Sequence, residues 1–223
     1  MKETYIMKKK LITFLVMASV VLLSTSVATA LVTVDPDAYS AGTNISTKFW
    51  AVTLSAVGGG WNGGGPGVLA IDPSGRPLDF EPSTGDLAFG TDDGQWPHLF
   101  WGKNKLHFRA DFAVLATEVS LDFIGNGVYS SDVGELWAYD SGGNVVDSTF
   151  TGTLLRNDVE TLTVSDAGGI AYILAYGTQT STSSWDALGL DNMQWEPIPA
   201  PGAILLGSIG IGLVGWLRRR RTL

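Results

Sequence analysis

The sequence predicts an all-β body, an antiparallel β-sandwich of jelly-roll type, placed between an N-terminal signal peptide and a C-terminal transmembrane helix. Between residues 31 and 196, apolar and polar side chains alternate with a period of two, which is typical of strands with one buried face. The apolar runs end in clusters of Gly, Asp, Asn and Ser, which favour turns. The 223 residues include no cysteine, so the predicted core has no disulfide to support it.

Residues 1–30 have the three parts of a secretory signal peptide. Lys8 to Lys10 form a positive n-region, Leu11 to Leu23 form a 13-residue apolar run, and Ala28 to Ala30 form a small-residue cleavage site. Because the run is shorter than the ~20 residues that span a membrane, we expect cleavage by signal peptidase rather than an uncleaved anchor. Either Met1 or Met7 can begin the chain, since the signal needs nothing before Met7.

The strongest strand pattern in the body runs from Leu106 to Val114. Its apolar face is formed by Leu106, Phe108, Ala110, Phe112 and Val114, and its polar face by Lys105, His107, Arg109 and Asp111. Further strands are predicted at 119–123, 135–139, 161–164, 170–176 and 188–195. Residues 139–145 contain Asp-Ser-Gly-Gly-Asn, a turn sequence that predicts a hairpin between two of these strands.

The predicted sandwich is acidic, with 6 Lys and Arg against 21 Asp and Glu between residues 31 and 200. Nucleic acid is excluded as a partner, because binding to phosphates needs clustered cations. Half of the basic residues, Lys103, Lys105 and Arg109, gather with His107 on one strand face. This stripe is predicted either to bind an acidic polysaccharide or to be a solvated face paired with acids on a neighbouring strand.

Three tryptophans fall in predicted loops rather than in the strand pattern. Trp61 lies in the glycine-rich stretch 58–67, and Trp96 and Trp101 flank Pro97-His98. Sugars stack on flat aromatic surfaces, so these three residues are candidate glycan contacts. The alternative is burial in the core, which is the commoner place for so large an apolar ring.

The body offers little for nucleophilic catalysis. It has no G-x-S-x-G sequence, and His98 and His107 are its two possible histidine bases. We therefore predict no catalytic residues and a chain that is not an enzyme. A calcium ion is the one cofactor that the composition permits, since Asp-rich loops supply the oxygen ligands it prefers. Asp92-Asp93 is a candidate site, because adjacent carboxylates repel one another unless a cation or water separates them.

The C-terminal end has the features of the signal peptide in the opposite order, with an apolar segment first and basic residues after it. Residues 198–217 contain no charged side chain, and Arg218, Arg219, Arg220 and Arg221 follow them directly. Such a segment predicts a transmembrane helix with its arginines in the cytoplasm and the body outside. A plain tail anchor would have the same physical features.

Pro199-Ala200-Pro201, the uncharged segment and the four arginines together resemble the PEP-CTERM sorting signal, over residues 197–223. The resemblance implies recognition by an exosortase in a Gram-negative bacterium that makes exopolysaccharide. Pro199-Ala200-Pro201 stands where that family has Pro-Glu-Pro, which leaves the processing site open. The implied destination is the cell envelope, the cell surface or the extracellular matrix.

The order of motifs from Phe108 to Met193, including Leu136 to Asn144 and Gly189-Leu190-Asp191-Asn192, resembles galactose-binding-like β-sandwiches. In such sandwiches an Asp at the start of the last strand often helps to hold a structural calcium ion, and Asp191 is the corresponding residue. Together these patterns predict a non-catalytic module that binds polysaccharide or other surface glycans. A secreted glycan-active enzyme and a purely structural matrix protein are the alternatives.

Overall fold

The computed structural model describes residues 30–58, 67–74, 80–92, 97–98, 101–102, 106–125, 132–179 and 188–198. These residues contain one short 3-10 helix, Pro36–Ala38, and ten strands: β1 (Val32–Val34), β2 (Val52–Val57), β3 (Leu69–Ile71), β4 (Ala88–Asp92), β5 (Pro97–His98), β6 (His107–Ile124), β7 (Asp132–Tyr139), β8 (Val145–Leu154), β9 (Val159–Gln179) and β10 (Gly189–Pro197). All strand pairs between them are antiparallel. The prediction of an all-β antiparallel body is confirmed.

Two long strands, β6 and β9, form the centre of the sheet and pair from Phe108↔Ala175 to Ile124↔Val159. Their register shifts twice between Asp111 and Glu118, and Gly169 on β9 has a φ of 103° at the same level. A β-bulge bends a strand and increases its twist. Both strands exchange neighbours at this bend, which divides the sheet into two halves.

The first half-sheet has the order β2, β6, β9, β7, β8, using the beginning of β6 and the end of β9. The second half-sheet uses the remainder of β6 and β9, with β10 beside β6 and with β1 and β4 beside β10. The inner faces of the two halves meet in one core. Phe108 of the first half lies 5.0 Å from Phe89 of β4, and Phe112 lies 5.0 Å from Trp195 of β10, between ring centroids.

Alternation along β6 places Phe108, Ala110 and Phe112 in the core, as the sequence predicts. Val114 is an exception and is 36% exposed, because the irregularity that follows Asp111 breaks the period of two. The sequence also predicts separate strands at 106–114 and 119–123, whereas the structure joins them into β6. The predicted hairpin is present, and Asp140 accepts hydrogen bonds from the backbone N–H groups of Gly142 and Asn144 across its turn.

Residues Ala30–Ile198 form one compact unit. Of the predicted signal peptide (1–30) and the predicted sorting signal (197–223), residues 1–29 and 199–223 lie outside the described residues. Across the part of the chain that the structure does describe, no helix is long and apolar enough to cross a membrane.

Candidate functional site: an aromatic sheet face

The outer face of the first half-sheet carries aromatic and charged side chains in neighbouring rows. Residues opposite one another on paired strands share a face, so the register determines which side chains meet. The rows contain His107, Arg109 and Asp111 on β6, Tyr172, Leu174, Tyr176 and Thr178 on β9, Glu135, Trp137 and Tyr139 on β7, and Phe150 on β8. We call this surface the aromatic face. Most of its side chains are half-buried, so one side of each packs on the sheet while the other side meets solvent.

The centre of the aromatic face is a stack of two tyrosines. The rings of Tyr139 and Tyr172 lie 4.6 Å apart with an angle of 5° between their planes. The guanidinium carbon of Arg109 lies 3.9 Å from the centroid of the Tyr172 ring, which is a cation–π distance. Three flat groups from three adjacent strands therefore lie side by side and hold one another in place.

Arg109 is held in place by Asp111, two residues along the same strand. Nε donates to Oδ2 at 2.8 Å and to Oδ1 at 3.0 Å, and a terminal NH2 group donates to Oδ1 at 2.6 Å. This bonding with Asp111 raises the pKa of Arg109 above its usual value, against the lowering effect of partial burial. The positive charge of Arg109 is therefore neutralised within the face.

A second polar group on the aromatic face is organised by Glu135, whose side chain is 7% exposed. One carboxylate oxygen accepts a hydrogen bond of 2.9 Å from Nε1 of Trp137, and the other accepts one from the Thr178 hydroxyl. Burial raises the pKa of Tyr176 well above its usual range, and the neighbouring Glu135 raises it further. The Tyr176 phenol therefore remains protonated, and its ring stacks on His107 at 4.3 Å.

Such a surface suits a ligand with an apolar side and many hydroxyl groups. Tyrosine and tryptophan present a flat apolar ring with a hydrogen-bonding group at its edge. On the aromatic face the rings are fixed by stacking, and Trp137 is also packed edge-on against Phe150 at 5.6 Å. The arrangement offers flat rings for stacking and polar groups for hydrogen bonds on one surface.

The structure places the predicted binding residues in different environments. His107 and Arg109 lie on the aromatic face, whereas Lys105, Trp61 and Trp96 lie outside the described residues. The prediction of a ligand contact at Trp101 is corrected. Its ring is fully buried against Phe108, and Nε1 donates a 3.0 Å hydrogen bond to the carbonyl of Phe89.

Four central residues of the aromatic face were missed by the sequence analysis: Trp137, Tyr139, Tyr172 and Tyr176. A signal was available on β7, where Glu135, Trp137 and Tyr139 occupy alternate positions that share a face. On β9, residues 170–176 read as one continuous apolar run, which predicts burial on both faces. The strand register determines which rows lie beside one another, and the periodicity of a single sequence does not determine that register.

The predicted calcium residue Asp191 lies on the outer face of the second half-sheet, directly opposite Asp122 on β6. It is fully buried. Ser83 bridges the two carboxylates, since its hydroxyl lies 2.7 Å from an oxygen of Asp122 and 3.0 Å from one of Asp191. The backbone N–H and the hydroxyl of Thr84 also donate to Asp191, at 3.0 and 3.2 Å.

Burial raises the pKa of Asp191 to about 6, although the hydrogen bonds from Thr84 and Ser83 oppose this change. Asp122 accepts further hydrogen bonds from the hydroxyl of Thr161 at 2.6 Å and from the side-chain amide of Asn192 at 3.2 Å. The carboxylate pair thus fastens the segment 80–87 to the sheet. We call this covered surface the capped face.

Apolar contacts complete the capped face. Phe80 packs with Ile71, Ala88 and Ile124 in a small separate core. A Cβ added to Gly189 would lie 2.4 Å from the Phe80 ring, so only glycine allows this approach. Asp37, on the 3-10 helix, supports the same segment by accepting from the N–H groups of Asp86 and Leu87.

Among the described residues, no group of three or more His, Asp and Glu side chains is placed to hold a metal ion. Asp92 ends β4, and Asp93 lies outside the described residues. The oxygens of Asp122 and Asp191 that could serve as ligands are instead occupied by hydroxyl and N–H donors.

A cleft of about 590 Å³ lies beside the capped face. Its wall includes the carboxyl side chains of Asp72, Glu81 and Asp86, together with Arg156. Asn157, with a φ of 63°, accepts a 3.1 Å hydrogen bond from the N–H of Glu81 and closes one side. In this cleft three carboxyl side chains meet an open volume.

No protein-family description matches the chain, and no curated protein is similar to it in sequence. Among solved structures, the chain is similar to the CBM22-1 xylan-binding domain of Xyn10C from Paenibacillus barcinonensis, with 13% identity and a TM-score of 0.40 over 78% of this chain and 97% of that one. It is similar to a cleaved adhesin domain of Lys-gingipain from Porphyromonas gingivalis, with 11% identity and a TM-score of 0.33 over 58% of this chain and 91% of that one.

A third similar structure is the enzymatically active domain of tailspike protein 4 from bacteriophage CBA120. The identity is 13% and the TM-score 0.36, over 71% of this chain. The chain spans about a fifth of the length of that tailspike domain, of which 21% is covered.

Proposed function

We propose that this chain is a non-enzymatic β-sandwich module, of jelly-roll type, that binds a neutral polysaccharide across its aromatic face. The observation that carries the proposal is the ordered stack of Tyr139, Tyr172 and the Arg109 guanidinium on an open sheet surface. Rings that are already fixed lose little conformational entropy when a ligand covers them, which favours binding.

The length of the aromatic face supports an extended ligand. Tyr172 and Tyr176 are four residues apart on β9, which corresponds to about 13 Å along the strand. Glu135 and Thr178 continue the face with polar groups beside Tyr176. A polysaccharide that runs along β9 would contact aromatic rings and hydrogen-bonding groups in turn.

The charges on the face favour a neutral glycan over an acidic one. Arg109 is paired with Asp111, so its charge is not available to a uronate or sulfate group. Glu135 lies nearby and would repel an anion. Asp111 lies on the same strand as Arg109, so this ion pair does not test the predicted pairing with acids on a neighbouring strand, and Lys103 and Lys105 lie outside the described residues.

The proposed location follows from the two ends of the sequence. Residues 1–30 have the pattern of a signal peptide, and residues 197–223 resemble a PEP-CTERM sorting signal. The proposed partners are signal peptidase, an exosortase, the membrane through residues 198–217, and exopolysaccharide. The module would then act at the cell envelope, the cell surface or in the extracellular matrix, with or without a bound calcium ion.

The test is a glycan array probed with the purified full chain and its Tyr172→Ala variant, once with calcium and once with EDTA. We expect the full chain to bind neutral polysaccharides and the variant to lose that signal. Tyr39→Ala is the matched control, since Tyr39 packs on Phe49 away from the aromatic face. No binding by the unaltered chain in either buffer would overturn the proposal in favour of a structural matrix protein.

A glycan-active enzyme is the second candidate, and the cleft beside the capped face is the observation in its favour. Paired carboxyl groups are the usual means of glycoside hydrolysis. Asp86→Asn and Glu81→Gln should abolish turnover of any polysaccharide that the chain cleaves, while Asp166→Asn, outside the cleft, should not. Cleavage by the unaltered chain that both cleft variants lose would favour this candidate over the binding module.

A further inference from the structure

Three hydrogen-bond donors of the aromatic face converge on one buried carboxylate, that of Glu135. Nε1 of Trp137 donates to Oε2 at 2.9 Å, and the hydroxyl of Thr178 donates to Oε1. The phenol of Tyr176, directly opposite Glu135 on β9, donates a third hydrogen bond to the same side chain. Because Glu135 is almost fully buried, these donors take the place of water around its charge.

The convergence uses the donor protons of all three residues. An indole has a single N–H and no acceptor, so Trp137 has no further hydrogen-bonding group for a ligand. A hydroxyl has one proton and two lone pairs, so the oxygens of Tyr176 and Thr178 can still accept. Both of these side chains are half-buried, so part of each meets solvent. Towards a ligand, the three residues therefore offer acceptors and no donor.

The hydroxyl protons are held in this direction. Turning either hydroxyl outwards would leave the buried carboxylate with one donor fewer, and hydrogen bonds to charged groups are the stronger kind. Burial and the neighbouring Glu135 raise the pKa of Tyr176, so its phenol keeps the proton that it donates. The Tyr176 ring is also fixed by its stacking on His107 at 4.3 Å.

The opposite end of the aromatic face has the reverse polarity. The Arg109 guanidinium carries donors and no acceptor. It lies 3.9 Å from the centroid of the Tyr172 ring, and Tyr172 is four residues from Tyr176 along β9. A ligand that lies along β9 thus meets a donor group at Arg109 and acceptor groups at Tyr176 and Thr178.

We propose that Glu135 is a positioning residue that sets specificity, and that through it the Tyr176 end of the aromatic face selects glycans with free hydroxyl groups over their O-acetylated forms. The inference rests on the proposed function, because it concerns the ligand of the same surface. A sugar hydroxyl can donate to the oxygen of Tyr176 or Thr178, which accepts more strongly when its own proton is donated to a charge.

An acetyl ester in the same place has oxygen acceptors and no donor proton. Acceptors would then face acceptors, and the oxygens on both sides would lose the partner that water had given them. A site built to bond a hydroxyl group of its ligand rejects the analogue that lacks this hydroxyl. At the Arg109 end an ester carbonyl can be accepted, so the selection applies to the sugar hydroxyls beside Tyr176 and Thr178.

The test compares each neutral polysaccharide with its own acetylated form. Dextran, amylose, galactomannan and deacetylated glucomannan, with the other neutral polysaccharides of the array, are immobilised unmodified and after partial chemical O-acetylation. The affinity of the full chain for each pair is measured by biolayer interferometry. We expect acetylation to weaken binding of the unaltered chain by about tenfold or more.

Two variants separate the loss of a hydrogen bond from the bulk of the acetyl group. Tyr176→Phe keeps the ring on His107 but removes the accepting oxygen. It should bind the unmodified polysaccharide more weakly and the acetylated one as before, so the ratio of the two affinities should fall towards one.

Glu135→Gln is the second variant. The Trp137 N–H must face the oxygen of the new amide, so the amide NH2 faces Thr178. The Thr178 hydroxyl then accepts from this NH2 and turns its own proton outwards. The variant should bind the acetylated form more tightly than the unaltered chain does.

Glu118→Gln is the matched control, because it makes the same chemical change at an exposed residue of the other half-sheet. It should discriminate between the two forms as the unaltered chain does. An unaltered chain that binds both forms alike would overturn the inference, and so would variants at positions 135 and 176 that keep the full discrimination. Either result leaves the proposed function intact, whereas a chain that binds no polysaccharide of the array overturns both.

Discussion

The two outer faces of this sandwich differ in how they use their polar groups. On the capped face, Asp122 and Asp191 are satisfied by donors from the segment 80–87 and are shielded from solvent. On the aromatic face no segment covers the sheet within the described residues, and rings remain half-exposed beside Arg109 and Glu135. A polar cluster whose donors and acceptors are already matched stabilises the fold, whereas a half-exposed ordered surface is free to bind.

The largest expected effect is on the free energy of unfolding, and it distinguishes aromatic residues of the core from those of the aromatic face. Trp101→Ala should lower the free energy of unfolding by about 3–5 kcal/mol, because it leaves a cavity beside Phe108 and removes the hydrogen bond from Trp101 Nε1 to the carbonyl of Phe89. Denaturant unfolding of the full chain measures this. Trp137→Ala, on the aromatic face, should cost much less. Equal losses for the two variants would contradict the division into core and surface rings.

The second largest expected effect is a pH dependence of stability, which tests the burial of Asp191 on the capped face. Because the folded pKa of Asp191 is raised to about 6 from 3.8, the folded state holds a proton that the unfolded state releases. The contribution of Asp191 to the free energy of unfolding is fully present below about pH 4, and it is lost as the pH rises through about 6. The loss amounts to about 3 kcal/mol.

Unfolding free energies of the full chain between pH 4 and pH 7.5, compared with those of Asp191→Asn, measure this contribution. The asparagine cannot titrate, so its curve should lack the decline. If the two curves stay parallel across this range, the burial of Asp191 does not control its ionisation.

The sequence was most informative about local features of the first half-sheet. Alternation along residues 107–112 and the Asp-Ser-Gly-Gly-Asn turn depend on neighbouring residues, and both were predicted correctly. The tyrosines of β9 were missed because their surroundings depend on β6 and β7, which are distant in sequence. Trp101 was misassigned for the same reason, since it looks like a loop residue until β4 and Phe108 enclose it.

A third prediction concerns ligand affinity on the aromatic face. Tyr172→Ala should weaken polysaccharide binding about tenfold or more, about 1.4 kcal/mol, because it removes the central ring of the stack. Titration calorimetry with a polysaccharide found on the array measures the change. Thr163→Ala, on the same strand but in the other half-sheet, should bind as the unaltered chain does. A similar loss in both variants would indicate a global effect rather than a binding surface.

The smallest expected effect concerns salt. Because Arg109 is already paired with Asp111, raising the ionic strength should change the affinity for a neutral polysaccharide by less than about 0.5 kcal/mol. Binding curves at low and high sodium chloride test this. A steep decrease with salt would show that free cations carry the binding, as an acidic ligand requires.

The continuity of β6 and β9 has a consequence for the order of folding. Phe108 meets Ala175 across 67 residues of chain, and both half-sheets are built on this pair of strands. Folding rates decrease as contacts become more distant in sequence, and all-β topologies of this kind fold in milliseconds to seconds. Neither half-sheet can be completed before β9 is available, so we expect the sheet to form late in the synthesis of the chain. For the export that we propose, such a delay would be favourable, because secretion machinery accepts extended chains.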